Sequence, residues 1–347
     1  MFPEAAEIYM ERCLSLAEKG RGKTRTNPMV GAVLVYNGKI IGEGWHKAYG
    51  GGHAEVEAIR SCWAPEKIPE ATLYVSLEPC NHHGKTPPCS SLILEHQIKK
   101  IVVGSLDPNP QVAGKGVQRL KSAGCEVWIH VLEQKCLSLN RAFMSFHKRH
   151  RPYIHLKWAQ TSDGFMAPAH SDSYWISDRL SKQWVHQIRG EYQAILIGIQ
   201  TLINDRPRLN VRHWTGTSPQ ICVIDPQGKC LKNPELIKTL NCPWIFSQSE
   251  EEEKPTEDMT LFPWKGLKAL LDQLYLNNIQ NLLVEGGAKT LSFFIENQLW
   301  DEATVFESSQ QFLEGLQAPK IPHIEPEIDH FASDQVIRYW NKSESNS

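Results

Sequence analysis

Residues 76–89 read SLEPCNHHGKTPPC, with two cysteines and two histidines between a run of strand formers and a run of helix formers. Taken alone, the segment fits a closed structural zinc site, a redox pair, or half of a catalytic centre completed elsewhere. The flanks decide how it is mounted. Thr72–Glu78 is extended in character, Cys89 opens a helical stretch to Gln97, and Lys99–Asp107 is extended again, the strand–helix–strand alternation of an α/β layer. Upstream, VGAVLVY (30–36) and KIIGEGW (39–45) flank Asn37-Gly38, a dipeptide suited to a two-residue hairpin turn. Residues 3–19 place Met10, Cys13, Leu14 and Ala17 at helical spacing, with Pro3 as the start and Gly20 as the stop.

Between the hairpin and the Cys-rich segment lies GGHAEVEAI (51–59). Zinc deaminases carry H-x-E followed by P-C-x-x-C, in which the Glu moves protons and is not a ligand. Here His53-Ala54-Glu55 is followed by Pro79-Cys80 and then Cys89, so eight residues separate the cysteines where that pattern has two. A catalytic zinc needs three protein ligands and an open position. His53, Cys80 and Cys89 supply that set; enlisting His82 or His83 closes the site and leaves Glu55 without a task. The other cysteines, Cys13, Cys62, Cys125, Cys136, Cys222, Cys230 and Cys242, lack such a setting and read as packing residues.

The chain's 347 residues exceed one typical core and suggest two domains. The boundary falls in the basic run FHKRHRPY (146–153), giving domains at 1–146 and 151–347. The second half repeats the alternation: strands at 154–159, 192–199, 220–225 and 281–285, helices at 178–190 and 266–277, and an acidic loop at 249–258. It has no P-loop and no G-x-G-x-x-G after a strand. NLLVEGGAKTL (281–291) does offer a strand, Glu285, a Gly-Gly turn and a helix start able to hold phosphate, although such junctions are also common as plain connections.

Charged residues make up 22% and the formal net charge is −2, against a dedicated nucleic-acid binder. No apolar run approaches a membrane span, and the N-terminus lacks a basic start followed by an apolar block. The expectation is a cytoplasmic enzyme of a small-molecule substrate, with no nucleic-acid or membrane partner.

TNPMVGAVLV, GEGWH, GGHAEVEAI, SLEPCNHHGKTPPC and SLDPNPQVAGKG, in this order, resemble the deaminase half of the bifunctional riboflavin-biosynthesis deaminase/reductases, whose form of the motif has the long gap between cysteines. RPYIHLKWAQTSDGFMA, SYWIS, IRGEYQAILIGIQT, INDRPRLNVR and LLVEGGAKTL resemble the reductase half. The resemblance implies a cytidine-deaminase-like α/β/α domain followed by a dihydrofolate-reductase-like α/β domain, Zn2+ and NADPH as cofactors, and a homo-oligomer. The implied reactions are hydrolytic deamination of 2,5-diamino-6-ribosylamino-4(3H)-pyrimidinone 5′-phosphate, then hydride transfer to C1′ that opens the ribose into a ribityl chain.

Carried over by position, His53, Cys80 and Cys89 are zinc ligands, Glu55 is the proton shuttle, and Asn27, Asp107 and Asn109 contact substrate; the last two are equally good turn residues. In the reductase half, Ser173, Arg189, Leu209, Arg212 and Glu285 are implied to bind substrate. Gln160, Trp175, Thr201, Asp205 and the turn and helix Gly287, Ala288, Lys289, Thr290, Leu291, Ser292 and Phe293 are implied to hold NADPH. Each has a plainer competitor: arginines are often merely solvated, Trp175 could fill core, and Asp205 could cap a helix or turn. Three features depart from the family: Thr161-Ser162 for Ser-Leu before Asp163-Gly164, Gln193 for Asp, and ATVFESSQQFLEG (303–315) where a strand ending in Ala-Pro and a Leu-Gly turn are expected. These leave open a deaminase with a degenerate reductase half. A nucleic-acid-editing deaminase is the reading from another class, and salt-dependent RNA binding would favour it.

Overall fold

The computed structural model describes residues 2–82, 87–109, 112–169, 176, 178–248 and 259–341. The chain divides into two compact units, Met1–His150 and Arg151–Ser347.

The first unit runs α1 (Ala6–Glu18), β1 (Gly31–Tyr36), β2 (Lys39–Trp45), α2 (Ala54–Arg60), β3 (Thr72–Leu77), α3 (Cys89–Glu95) and β4 (Lys100–Ser105). It closes with α4 (Lys115–Ser122), β5 (Glu126–Trp128), α5 (Glu133–Leu139) and α6 (Arg141–Arg149). Among the described residues its five strands are ordered β2-β1-β3-β4-β5, the first two joins antiparallel and the last two parallel. Alternation along β1 builds both cores. Ala32 and Leu34 pack with Ala54, Ala58 and Ile93, whereas Val33 and Val35 pack with Met10, Cys13 and Leu14 of α1. The result is a sheet covered on both faces.

Pro3 does not open α1: the helix begins at Ala6, whose N–H donates to the Pro3 carbonyl at 3.2 Å. At the hairpin, Asn37 and Gly38 take φ of 47° and 73°, the paired positive values of a two-residue turn. A Cβ on Gly38 meets nothing nearer than the Tyr9 hydroxyl at 4.0 Å, so its cost is purely backbone. Gly38→Ala is expected to lower stability by about 1 kcal/mol, read as a shifted urea midpoint with an unchanged m-value.

The second unit runs β6 (Tyr153–Thr161), β7 (Phe165–Pro168), α7 (Arg179–Glu191), β8 (Ala194–Gly198), α8 (Ile199–Asp205), β9 (Gln220–Ile224), α9 (Lys229–Lys232) and β10 (Trp244–Ser247). It continues β11 (Thr260–Pro263), α10 (Leu267–Leu276), β12 (Asn281–Val284), α11 (Ala288–Glu296), β13 (Glu302–Ser308), β14 (Gly315–Gln317), β15 (Glu327–Phe331) and β16 (Asp334–Trp340). Among the described residues the main sheet is ordered β11-β10-β9-β8-β12-β6-β13-β16-β15. It is parallel from β11 to β13, with β16 and β15 antiparallel. Ala194 and Leu196 of β8 face one core, Ile195 and Ile197 the other, as expected for a strand covered on both faces.

Despite its departure from the family pattern, ATVFESSQQFLEG supplies most of a strand, β13, which pairs with β6 over its whole length. The two units meet between His150 and Arg151, inside the basic run 146–153 where the boundary is expected, and the run itself is structured: α6 continues to Arg149 and Tyr153 opens β6. Within the second unit, Arg151 is buried and forks onto Asp301 at 2.7 and 3.0 Å, while Asp301 also accepts from the Ile154 N–H. The acidic stretch 249–258 and the tail 342–347 lie outside the described residues.

Candidate zinc deamination centre and reductase site

Three local structures converge at the carboxyl end of β3. His53 is the N-cap of α2, Cys80 follows β3 by three residues, and Cys89 is the first residue of α3. His53 Nδ1 lies 3.1 Å from Cys89 Sγ and 3.6 Å from Cys80 Sγ, and the Cys89 N–H donates to Cys80 Sγ at 3.3 Å. The three ligand atoms fall within 4.8 Å of one another. Two sulfurs and one imidazole nitrogen on this spacing fit a zinc ion that keeps its fourth position for the reaction. A hydrogen bond from Cys89 pulls the Cys80 thiol down to about 4, with His53 helping and burial opposing, while the Cys89 thiol is held well above its ordinary value. One member of the pair is therefore a ready thiolate.

Glu55 sits on the first turn of α2, only 3% exposed, and burial raises its pKa. It is outside the donor trio. His82 is exposed and also outside it; His83 lies outside the described residues.

Around this cluster, Asn27 Nδ2 lies 3.0 Å from His46 Nε2, and His46 Nδ1 lies 3.0 Å from the Gly52 carbonyl oxygen. Asp107 is pushed up to about 6, chiefly by burial, and accepts from the Asn109 N–H at 2.8 Å. Sequence reading missed the residue that holds this wall. Glu78 is buried and accepts from the backbone N–H groups of Asp107, Gly114, Gly116 and Val117. Its signal was an acid at the end of an otherwise apolar strand, which needs donors once buried.

In the second unit the neighbouring strands β8, β12 and β6 end at one edge, where open α/β sheets bind ligands. Glu285 follows β12 and takes both ends of the Arg189 fork from α7, at 3.0 and 2.7 Å. Lys157 of β6, not singled out from the sequence, joins them: burial lowers its pKa, Glu285 resists, and Arg189 adds to the lowering. Arg189 is thus already engaged by a protein carboxylate, not simply solvated.

The Gly-Gly turn is built tightly. A Cβ on Gly286 would stand 2.6 Å from Thr290 Cβ, and the Gly287 N–H donates to Thr201 Oγ1 of α8 at 2.9 Å. Gly287 is the N-cap of α11, followed by Ala288, Lys289, Thr290 and Ser292 in the helix. Leu291 is fully buried in the core and Phe293 is 39% exposed, so this segment offers a ligand its backbone N–H groups and polar side chains. A half-buried helix start beside a close-packed glycine turn has the chemistry to hold the phosphates of a dinucleotide such as NADPH.

The remaining positions divide. Gln160 accepts from Trp158 Nε1 at 2.9 Å and donates to Glu307 at 2.8 Å. Asp205 is the last residue of α8, where a carboxylate cannot cap the N-terminus, and burial raises its pKa. Leu209 is buried with φ of 53°, which leaves only its backbone for any substrate contact. The Arg212 N–H donates to His186 Nδ1 at 3.3 Å; burial, with Arg189 and Arg212, pushes His186 down to about 4 and keeps it neutral. Ser173 and Trp175 lie outside the described residues. In the Thr161-Ser162-Asp163-Gly164 variant, Asp163 accepts from the N–H groups of Phe312 and Leu313, anchoring the loop after β13.

The first unit therefore has the layers and metal cluster of a cytidine-deaminase-like zinc hydrolase, and the second the parallel sheet and phosphate turn of a dihydrofolate-reductase-like oxidoreductase. Comparison with known proteins agrees. The model of the cytidine and deoxycytidylate deaminase zinc-binding region matches residues 3–105, and that of the RibD C-terminal domain matches residues 152–309. The riboflavin biosynthesis protein RibD of Aquifex aeolicus is 41% identical over 323 residues, covering 91% of this chain and 90% of that one. A crystal structure from Thermotoga maritima, described as a diaminohydroxyphosphoribosylaminopyrimidine deaminase/5-amino-6-(5-phosphoribosylamino)uracil reductase, superposes with a TM-score of 0.86. It is 35% identical and covers 96% of this chain and 98% of its own. RibD of Acinetobacter baumannii gives 0.85 at 31% identity, with 97% and 99% covered. The chain belongs to the RibD family of bifunctional deaminase/reductases of riboflavin biosynthesis.

Proposed function

We propose that the two units catalyse consecutive steps, deamination of 2,5-diamino-6-ribosylamino-4(3H)-pyrimidinone 5′-phosphate and then NADPH-dependent reduction of its ribosyl chain to ribityl. The observation that carries the first step is the His53, Cys80 and Cys89 trio within 4.8 Å, with buried Glu55 on the same helix turn as His53. Zinc, when bound, supplies the Lewis acidity that makes water a nucleophile at neutral pH. Glu55 takes the proton from the attacking water and delivers it to the departing ammonia, a task suited to a carboxyl whose pKa burial has raised. Asn27, Asp107 and Asn109 orient the ribosyl phosphate end.

In the second step Ser173, Arg189, Leu209, Arg212 and Glu285 hold the substrate. Gln160, Trp175, Thr201, Asp205 and residues 287–293 hold NADPH, which supplies hydride when bound. The anchoring of the loop after β13 by Asp163 supports a working reductase over a degenerate one. The near-neutral net charge supports a small-molecule enzyme without nucleic-acid partners. Among the described residues no helix is long and apolar enough to cross a membrane. We place the enzyme in the cytoplasm as a homo-oligomer.

Purified protein given the diaminopyrimidine phosphate should release ammonia without NADPH, and oxidise NADPH only after ammonia has formed. A chelator, or Cys80→Ser, should remove the first signal together with bound zinc. Ammonia without NADPH oxidation selects a deaminase with an inactive second unit; neither signal rejects this substrate.

A further inference from the structure

We infer that His46 is a positioning residue of the deamination site, which locks the Asn27 amide so that its oxygen, and not its NH2 group, is presented to the substrate. This rests on the reading of Asn27 as a substrate contact. His46 is buried, its own N–H is held by the Val30 carbonyl at 2.9 Å, and its ring meets the His53 ring edge-on with centroids 5.9 Å apart.

Two hydrogen bonds fix the ring's protons. Nδ1 lies 3.0 Å from the Gly52 oxygen, and a carbonyl only accepts, so Nδ1 carries hydrogen. Nε2 lies 3.0 Å from Asn27 Nδ2, and an amide nitrogen only donates, so Nε2 is the bare acceptor. One tautomer satisfies both contacts.

The lock has a chemical consequence. Turning the Asn27 amide over would set its oxygen against the Nε2 lone pair, two acceptors with no proton between them. With Nδ2 committed to the ring, Oδ1 has no protein partner among the described residues and is left as an acceptor. It therefore reads a donor on the substrate, a sugar hydroxyl or an amine, and discriminates against a carbonyl or carboxylate in that place. The same ring grips Gly52, the residue before the ligand His53, so one side chain ties the substrate-side amide to the turn that delivers the metal ligand.

Two replacements separate the two grips. Asn at position 46 reaches about as far as Nδ1 and can keep the Gly52 bond but not the Asn27 one. Gln reaches about as far as Nε2, and its oxygen can accept from Asn27. Asn27→Ala is expected to raise KM for the diaminopyrimidine phosphate about tenfold, the worth of one hydrogen bond, with little change in kcat. His46→Asn should do the same in the native background and add nothing to Asn27→Ala, while His46→Gln should restore KM to within about threefold. All should retain one zinc per chain by metal analysis.

Equal, additive effects of His46→Asn with and without Asn27 would overturn the inference, as would a tenfold KM increase in His46→Gln or loss of zinc from both position-46 variants. If Asn27→Ala leaves KM unchanged, the assignment of Asn27 to the substrate is what fails.

Discussion

Glu55→Gln is expected to slow deamination by about 10²–10⁴-fold, the range for removing a positioned general acid–base group, while zinc content stays at one per chain. The glutamine keeps the size of the side chain and its capacity to donate and accept hydrogen bonds, but it cannot carry a proton between water and ammonia. Its position supports the retained metal: the trio of close donor atoms is His53, Cys80 and Cys89, without Glu55. Burial at 3% exposure denies bulk water easy access to do the proton transfer instead. The measurement is ammonia release under saturating substrate, beside metal analysis of the same sample, with NADPH oxidation assayed on substrate already deaminated. A variant that loses zinc would make Glu55 a ligand; an unchanged rate would remove it from the chemistry; a parallel loss of reductase activity would point to a folding defect.

What made the deamination centre legible is that its residues sit at element junctions, where sequence signals are strongest. His53 and Cys89 each stand at a helix start, and Cys80 follows a strand of five buried residues, so patterning and ligand chemistry pointed to the same positions. Glu78 and His46 were not legible, because their roles depend on which distant backbone groups folding brings to them. Glu78 meets donors 29 to 39 residues away, a pairing no local pattern encodes. The reductase half was read through its parallel strands and its Gly-Gly turn. Its C-terminal part was left open because β13 pairs with β6 from about 150 residues earlier, and that partner, with β16 on its other side, buries a sequence carrying two glutamates. Lys157 escaped for a related reason. An amphipathic-looking Lys in β6 reads as a solvated face until its burial within reach of the charges of Glu285 and Arg189 is seen.

Glu285→Gln should produce the largest change in the second unit, in both stability and reduction. The wild-type carboxylate is bonded at both oxygens to Arg189, and the two side chains are only 10% and 12% exposed. Burial alone would raise the Glu285 pKa, but Arg189 and Lys157 outweigh it and hold the carboxyl at about 2, from an ordinary value of 4.5. Removing its charge leaves Arg189 and Lys157 facing each other without compensation, and breaking a buried pair from one side costs about 3–5 kcal/mol. On the substrate-binding role proposed for Arg189, its displacement is expected to lower reductase kcat/KM by about a hundredfold, about what a 1 Å misplacement costs. The sign of the pH dependence follows from the depressed pKa. The pair's contribution is complete above the ordinary value of 4.5 and is lost as pH falls from there through about 2. Urea unfolding of the second unit should therefore separate wild type from Glu285→Gln most widely near pH 7, with the gap closing below pH 4.5 as the unfolded wild-type chain takes up a proton that the folded carboxylate refuses until about pH 2. A gap that stays constant across that range would mean Glu285 contributes through shape and not through charge, and a variant with full reductase activity would release both Glu285 and Arg189 from the substrate site.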